Sequence, residues 1–116
     1  MITGIHAIVF SPEADQVRTF FADVLSMSSV DAGGGWLIFA LPPAELAVHP
    51  ADGVSRHELY LMCDDIRATL AELRGKGVEV ARDVSDQGWG LLAAIRLPDG
   101  SEFPIYEPRH PSPLRA

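Results

Sequence analysis

His6 and Glu58 are the residues whose type and setting first point to chemistry, because each heads an apolar run, HAIVF in one place and ELYLMC in the other. If both runs are strands, alternation puts His6 on one face with Ile8 and Phe10, and Glu58 on one face with Tyr60 and Met62. A carboxylate on an inward strand face is costly to bury unless it is paired. A metal ion, the His6 imidazole or a ligand could each satisfy it. A His6–Glu58 pair would orient the imidazole and make it more basic, which suits a general base or a ligand anchor. His6 reads equally well as a hydrogen-bonded histidine with no ligating role.

Aromatic residues supply the rest of the candidate site. Trp89 stands in Gln87-Gly88-Trp89-Gly90, where the flanking glycines let a backbone or a ligand come close. Tyr60 and Tyr106 can bring hydroxyls to the same space, or bond them to backbone. Trp36 also follows glycine and reads as core packing. Cys63 falls on the face opposite Tyr60 and Met62 and reads as inert. Asp64-Asp65 reads as a helix cap. Apolar and aromatic walls with a few placed polar groups are the composition of a small-molecule pocket. The candidates are therefore His6 and Glu58 for chemistry, and Phe10, Tyr60, Met62, Trp89 and Tyr106 for binding.

These side chains need elements to place them. Residues 2–10 read as a strand, and Ser11-Pro12-Glu13 as a helix start with a serine cap and proline in the first turn. Val17, Phe20, Phe21, Val24 and Leu25 recur at helical spacing. Val30 suits a short strand, and Gly33-Gly34-Gly35 a turn. Residues 36–41 and 45–49 read as further strands, each closed by proline. The pattern then restarts. Residues 58–63 form a strand, Asp64-Asp65 cap a helix with Ile66, Leu70 and Leu73 on one face, and Gly75 and Gly77 end it. Strands follow over 78–81, 90–97 and 102–107, the last two joined by Pro98-Asp99-Gly100. The order β-α-β-β-β occurs twice, an internal repeat of about fifty residues. A plain α+β sandwich with both helices on one side would give the same string. The tail over 108–116 holds three prolines and reads as surface chain.

Composition narrows the partners. A chain of 116 residues fits one domain, 1–116, with a core of its own. Its net charge of −7 and lack of any basic cluster argue against nucleic acid or an anionic membrane. The lone Cys63 permits no internal disulfide, and residues 1–10 lack a basic n-region and a long apolar stretch. No apolar run approaches the ~20 residues that span a bilayer. A cytoplasmic protein is expected.

Three stretches carry a family resemblance. IHAIVFSPEADQVRTFFADVLSM (5–27) resembles the opening of vicinal oxygen chelate proteins, the fold of glyoxalase, bleomycin-resistance proteins and extradiol dioxygenases. ELYLMCDDI (58–66) is similar to their second-half opening, and GWGLLAAIRLPDGSEFPIYEP (88–108) to their closing hairpin. The resemblance implies an α+β fold of two βαβββ modules, about 2–50 and 56–107, forming a curved sheet with the helices outside. It also implies a homodimer, with the halves paired within one chain or exchanged between chains.

The family's concave face holds a divalent metal such as Zn, Ni, Mn or Fe, bound by residues of the first and last strands of each half. Carried over, His6 takes the first position and Glu58 the second, where the family more often has histidine. Glu45 or His49 takes the third, giving His6, Glu45 and Glu58 as the implied metal set. His57 falls on the other face. The fourth position falls on Pro104, which has no ligating atom, so a complete site would need Glu102, or Glu107 turned by a bulge. Two functions follow. One is a protein that holds a small organic molecule with a degenerate metal site, as the family's antibiotic-sequestering branch does. The other is a metal-dependent lyase, isomerase or dioxygenase acting on vicinal oxygens.

Overall fold

The computed structural model describes residues 6–45, 47, 49, 50, 52, 53 and 57–111. Helix α1 (Ala14–Thr19) runs on into a π-helical turn over Phe20–Val24. The hairpin β1 (Ser29–Asp31) and β2 (Leu37–Phe39) follows. The second half comprises β3 (Leu61–Met62), α2 (Ile66–Gly75), β4 (Val80–Asp86), β5 (Gly90–Arg96) and β6 (Glu102–Pro108). The architecture is mixed α+β, with one sheet ordered β3-β6-β5-β4 and a separate β1-β2 pair. β3 runs parallel to β6, and the other pairs are antiparallel. The second βαβββ module is thus complete.

Local chemistry explains why these segments form. Asp65 accepts a hydrogen bond from the Ala68 amide at 3.1 Å, the cap expected for α2. Ile66, Leu70 and Leu73 bury the apolar stripe of that helix. Asp31 Oδ1 accepts from the amides of Gly33 and Gly35, and all three glycines of that turn have positive φ. α1 begins later than expected. Ser11 caps the amide of Glu13 at 3.1 Å and donates to Asp99 in the β5–β6 turn, so it pins the chain ahead of the helix. The π turn is closed by the Leu25 amide on the Phe20 carbonyl at 3.2 Å, and both Phe20 and Phe21 are buried there.

The first module departs from the reading of the sequence. Residues 6–10 form no strand, and residues 2–5 lie outside the described set. The expected strand over 45–49 is absent at 45, 47 and 49, while 46 and 48 lie outside the described residues. The strand expected over 58–63 shortens to Leu61–Met62. A strand needs a ladder partner, and among the described residues no strand pairs with 6–10. Trp36, read as core, is 70% exposed instead, with the Arg18 guanidinium 5.3 Å from its ring centroid.

The four-stranded sheet has two unlike faces. Leu91, Ala93 and Ile95 of β5 and Phe103 and Ile105 of β6 meet both helices in the core, where Phe21 packs edge-on against Phe103 at 5.9 Å. Leu61 and Cys63 pack against the same core. The opposite face is set by the pairs Gly90↔Pro108, Leu92↔Tyr106 and Ala94↔Pro104, with Met62 beside Tyr106 in the parallel ladder. That second face carries the candidate site.

Candidate functional site

Tyr106 is the centre of the site. It sits in the middle strand pair of the face and is only 8% exposed. Tyr60 meets it edge-on at 5.8 Å and Trp89 edge-on at 5.5 Å. Gly90 makes room for this packing. A Cβ there would lie 2.9 Å from the Glu107 carbonyl oxygen and 3.1 Å from Tyr106 Cδ2, so the glycine beside Trp89 does permit a close approach.

Polar groups gather around that ring. The Tyr106 hydroxyl donates to Glu45 Oε1 and lies 3.2 Å from His110 Nε2. His110 Nε2 is 3.4 Å from Glu45 Oε1. The imidazole stacks on the phenol ring, 5.9 Å between centroids at an interplanar angle of 27°. Burial, then the hydrogen bond and charge of Glu45, push the Tyr106 hydroxyl up to about 12. At neutral pH it is therefore a phenol with a proton to donate. Glu58 lies next to this group and accepts from the Tyr60 hydroxyl at 3.3 Å.

The face thus assembles Glu45, Glu58, Tyr60, Met62, Trp89 and Tyr106. His6 and Phe10 are exposed, Phe10 at 89%. His49 and His57 are exposed as well. Cys63 turns to the core side, where burial pushes its thiol up to about 11, the Thr69 hydroxyl opposes, and Glu107, Asp64 and Asp65 add to the rise. His110 was not among the residues singled out from the sequence. It lies two positions past β6, on chain read as a surface tail. The signal available was Pro108 and Pro111 on either side of Arg109-His110, which stiffen the exit. The Arg109 amide also bonds the Trp89 carbonyl at 2.9 Å, extending the β5–β6 ladder by one step.

Among the described residues, the donors on this face do not complete a divalent-ion site. Pro104 stands on the site face opposite Ala94 and offers no donor atom. Glu102 is spent on Arg82, whose Nε donates to it at 2.7 Å across the small Ala94. Glu107 points to the helix side, where Oε1 accepts from the Ile66 amide at 3.0 Å and caps α2. Among the described residues, no three His, Cys, Asp or Glu side chains gather at metal-binding distances.

A βαβββ module with helices behind its sheet and a polar-aromatic cluster in front defines a glyoxalase-like fold. The chain belongs to the Glyoxalase/Bleomycin resistance protein/Dioxygenase superfamily, whose family model matches residues 5–105. No curated protein sequence matches it. Among solved structures it is similar to TnmS3, an antibiotic binding protein from Streptomyces sp. CB03234, at 23% identity and TM-score 0.66, covering 92% of this chain and 97% of that one. It is also similar to a lactoylglutathione lyase from Agrobacterium tumefaciens, at 14% identity and TM-score 0.65, covering 90% and 92%. A superfamily member from Sphaerobacter thermophilus DSM 20745 matches at 20% identity and TM-score 0.63, covering 91% and 98%. At these identities the likeness is one of fold.

Proposed function

We propose that this chain holds a small organic molecule against the Tyr60–Trp89–Tyr106 face, in a site that has lost one of its family's metal donors. The observation that carries the reading is Pro104. It occupies the position where the resemblance implies a glutamate, while Glu102 and Glu107 are committed to Arg82 and to the α2 terminus. An apolar and aromatic wall with a few fixed polar groups suits a bound organic ligand. The similar TnmS3 is an antibiotic binding protein, which supports sequestration as the role. The similar lyase structure favours the other reading, a metal-dependent lyase, isomerase or dioxygenase using His6, Glu45 and Glu58.

Two measurements separate them. Protein purified without chelator is assayed for divalent metals, with His6→Ala beside it. A stoichiometric ion that His6→Ala releases overturns the binding reading. A Trp36→Phe background then leaves Trp89 as the sole indole, and its emission is followed during titration with a panel of planar aromatic antibiotics. Saturable quenching that weakens about tenfold in Tyr106→Ala is expected, the size of one lost aromatic contact.

The working unit we propose is a homodimer, and the absence of disulfide partners for Cys63 suits a cytoplasmic setting. No helix of the described residues is long and apolar enough to cross a membrane.

A further inference from the structure

We infer that Tyr106, Glu45 and Trp89 form a subsite for a flat, nitrogen-bearing ring with an N–H to donate, and that the chain's own His110 fills this subsite until such a ligand displaces it. The inference rests on the reading of this face as the binding face, and adds what the ligand must look like.

His110 already does what a ligand would do there. Its ring lies nearly parallel to Tyr106, at 27° and 5.9 Å, while Tyr60 and Trp89 meet the same phenol edge-on. Only a planar group can occupy that stacking position without losing contact area. The Tyr106 proton is directed to the Glu45 carboxylate. The atom at the Nε2 position therefore faces two oxygens, at 3.2 Å and 3.4 Å, one of them on a carboxylate. An N–H fits between them, whereas an oxyanion is repelled. Nδ1 lies 2.7 Å from the Pro111 carbonyl oxygen.

The way His110 is attached lets it leave. It lies beyond the end of β6, and just before it the Arg109 amide bonds the Trp89 carbonyl at 2.9 Å. No helix or strand has to break for the imidazole to swing out. An intramolecular ring carried on chain beyond the last strand is a placeholder that a better-fitting ring can replace. Trp89, 44% exposed, meets the same phenol edge-on, so its emission senses what stacks on Tyr106.

The test uses benzimidazole and 1-methylbenzimidazole, two flat rings of which only the first carries an N–H. Binding is read from Trp89 emission in the Trp36→Phe background. The expected result is that His110→Ala binds benzimidazole about tenfold more tightly than the parent, because the competitor is gone. 1-Methylbenzimidazole should bind several-fold more weakly than benzimidazole, and Glu45→Gln should erase that difference. His110→Phe keeps a stacked ring in place and should bind benzimidazole near the parent level, which separates displacement from any loosening of the tail. Equal benzimidazole affinity in the parent and His110→Ala overturns the placeholder role. Equal affinity for the two probes overturns the N–H requirement. In both cases binding at the aromatic face stands. Binding of neither probe to any variant overturns the inference, while the wider reading falls only if the antibiotic panel also leaves Trp89 unchanged.

Discussion

At Tyr106 a phenol is buried beside a carboxylate, and both surroundings favour its neutral form. Its folded value is raised from 10.0 to about 12, so the stability it lends is full below pH 10 and is lost as pH rises between these two values. Tyr106→Phe should abolish this alkaline limb, seen as a missing step near pH 12 in the tyrosinate absorbance of the folded protein. Asp99 behaves in the opposite sense. The Ser101 hydroxyl first, then the Ser11 hydroxyl, holds its carboxyl down from 3.8 to about 2. Its contribution is present above about pH 4 and fades as pH falls towards 2. Ser11→Ala removes one of those donors, so the urea midpoint of the variant should fall less steeply across that acid range. An unchanged slope would remove Ser11 from the account.

At the scale of elements, β5 and β6 do most of the positioning, because their two faces serve two purposes. Odd positions of β5 hold the core and even positions form the floor of the site. This demands small residues where side chains cross, which is why Ala94 and Gly90 stand where they do. Gly90→Ala would push a methyl group to 2.9 Å from the Glu107 carbonyl oxygen and 3.1 Å from the Tyr106 ring. The backbone must yield, and we expect a loss of about 1–3 kcal/mol in urea unfolding. The Trp89 response to aromatic probes should weaken in the same variant, since the ring it leans on has moved. A Gly90→Ala protein of parental stability and response would show that the approach is looser than these distances state.

At the scale of the molecule, the first half is apolar where it should be covered. Phe10 is 89% exposed and Trp36 70%, with Ile8, Val30, Ile38 and Leu41 also exposed. These side chains are what the proposed homodimer would cover. We expect light scattering coupled to size exclusion to return twice the chain mass of 12.6 kDa, and Phe10→Ser with Trp36→Ser to shift the population to monomer. A monomeric parent protein would sink the proposed homodimer and leave these residues unexplained. The same contact would give residues 6–10 the ladder partner that the described chain lacks.

Much was legible in the residues themselves. Spacing located α2 and its Asp65 cap, the glycine turn, and the β5–β6 hairpin with its Pro-Asp-Gly corner. Alternation put Glu58, Tyr60 and Met62 on the face opposite Cys63. The family was legible as the resemblance of three stretches, and the elements themselves were legible because a local rule of period and capping acts within a few residues and leaves its mark in the order of letters. Other features were settled only by folding. That Glu107 caps α2 while Glu102 turns to Arg82, that Glu45 reaches Tyr106, and that His110 folds back to stack on it are contacts between residues far apart in the chain. Such pairings depend on how strands are ordered and which way a tail leaves its sheet. Those choices are made by the packing of the whole core, and no stretch of sequence holds them alone.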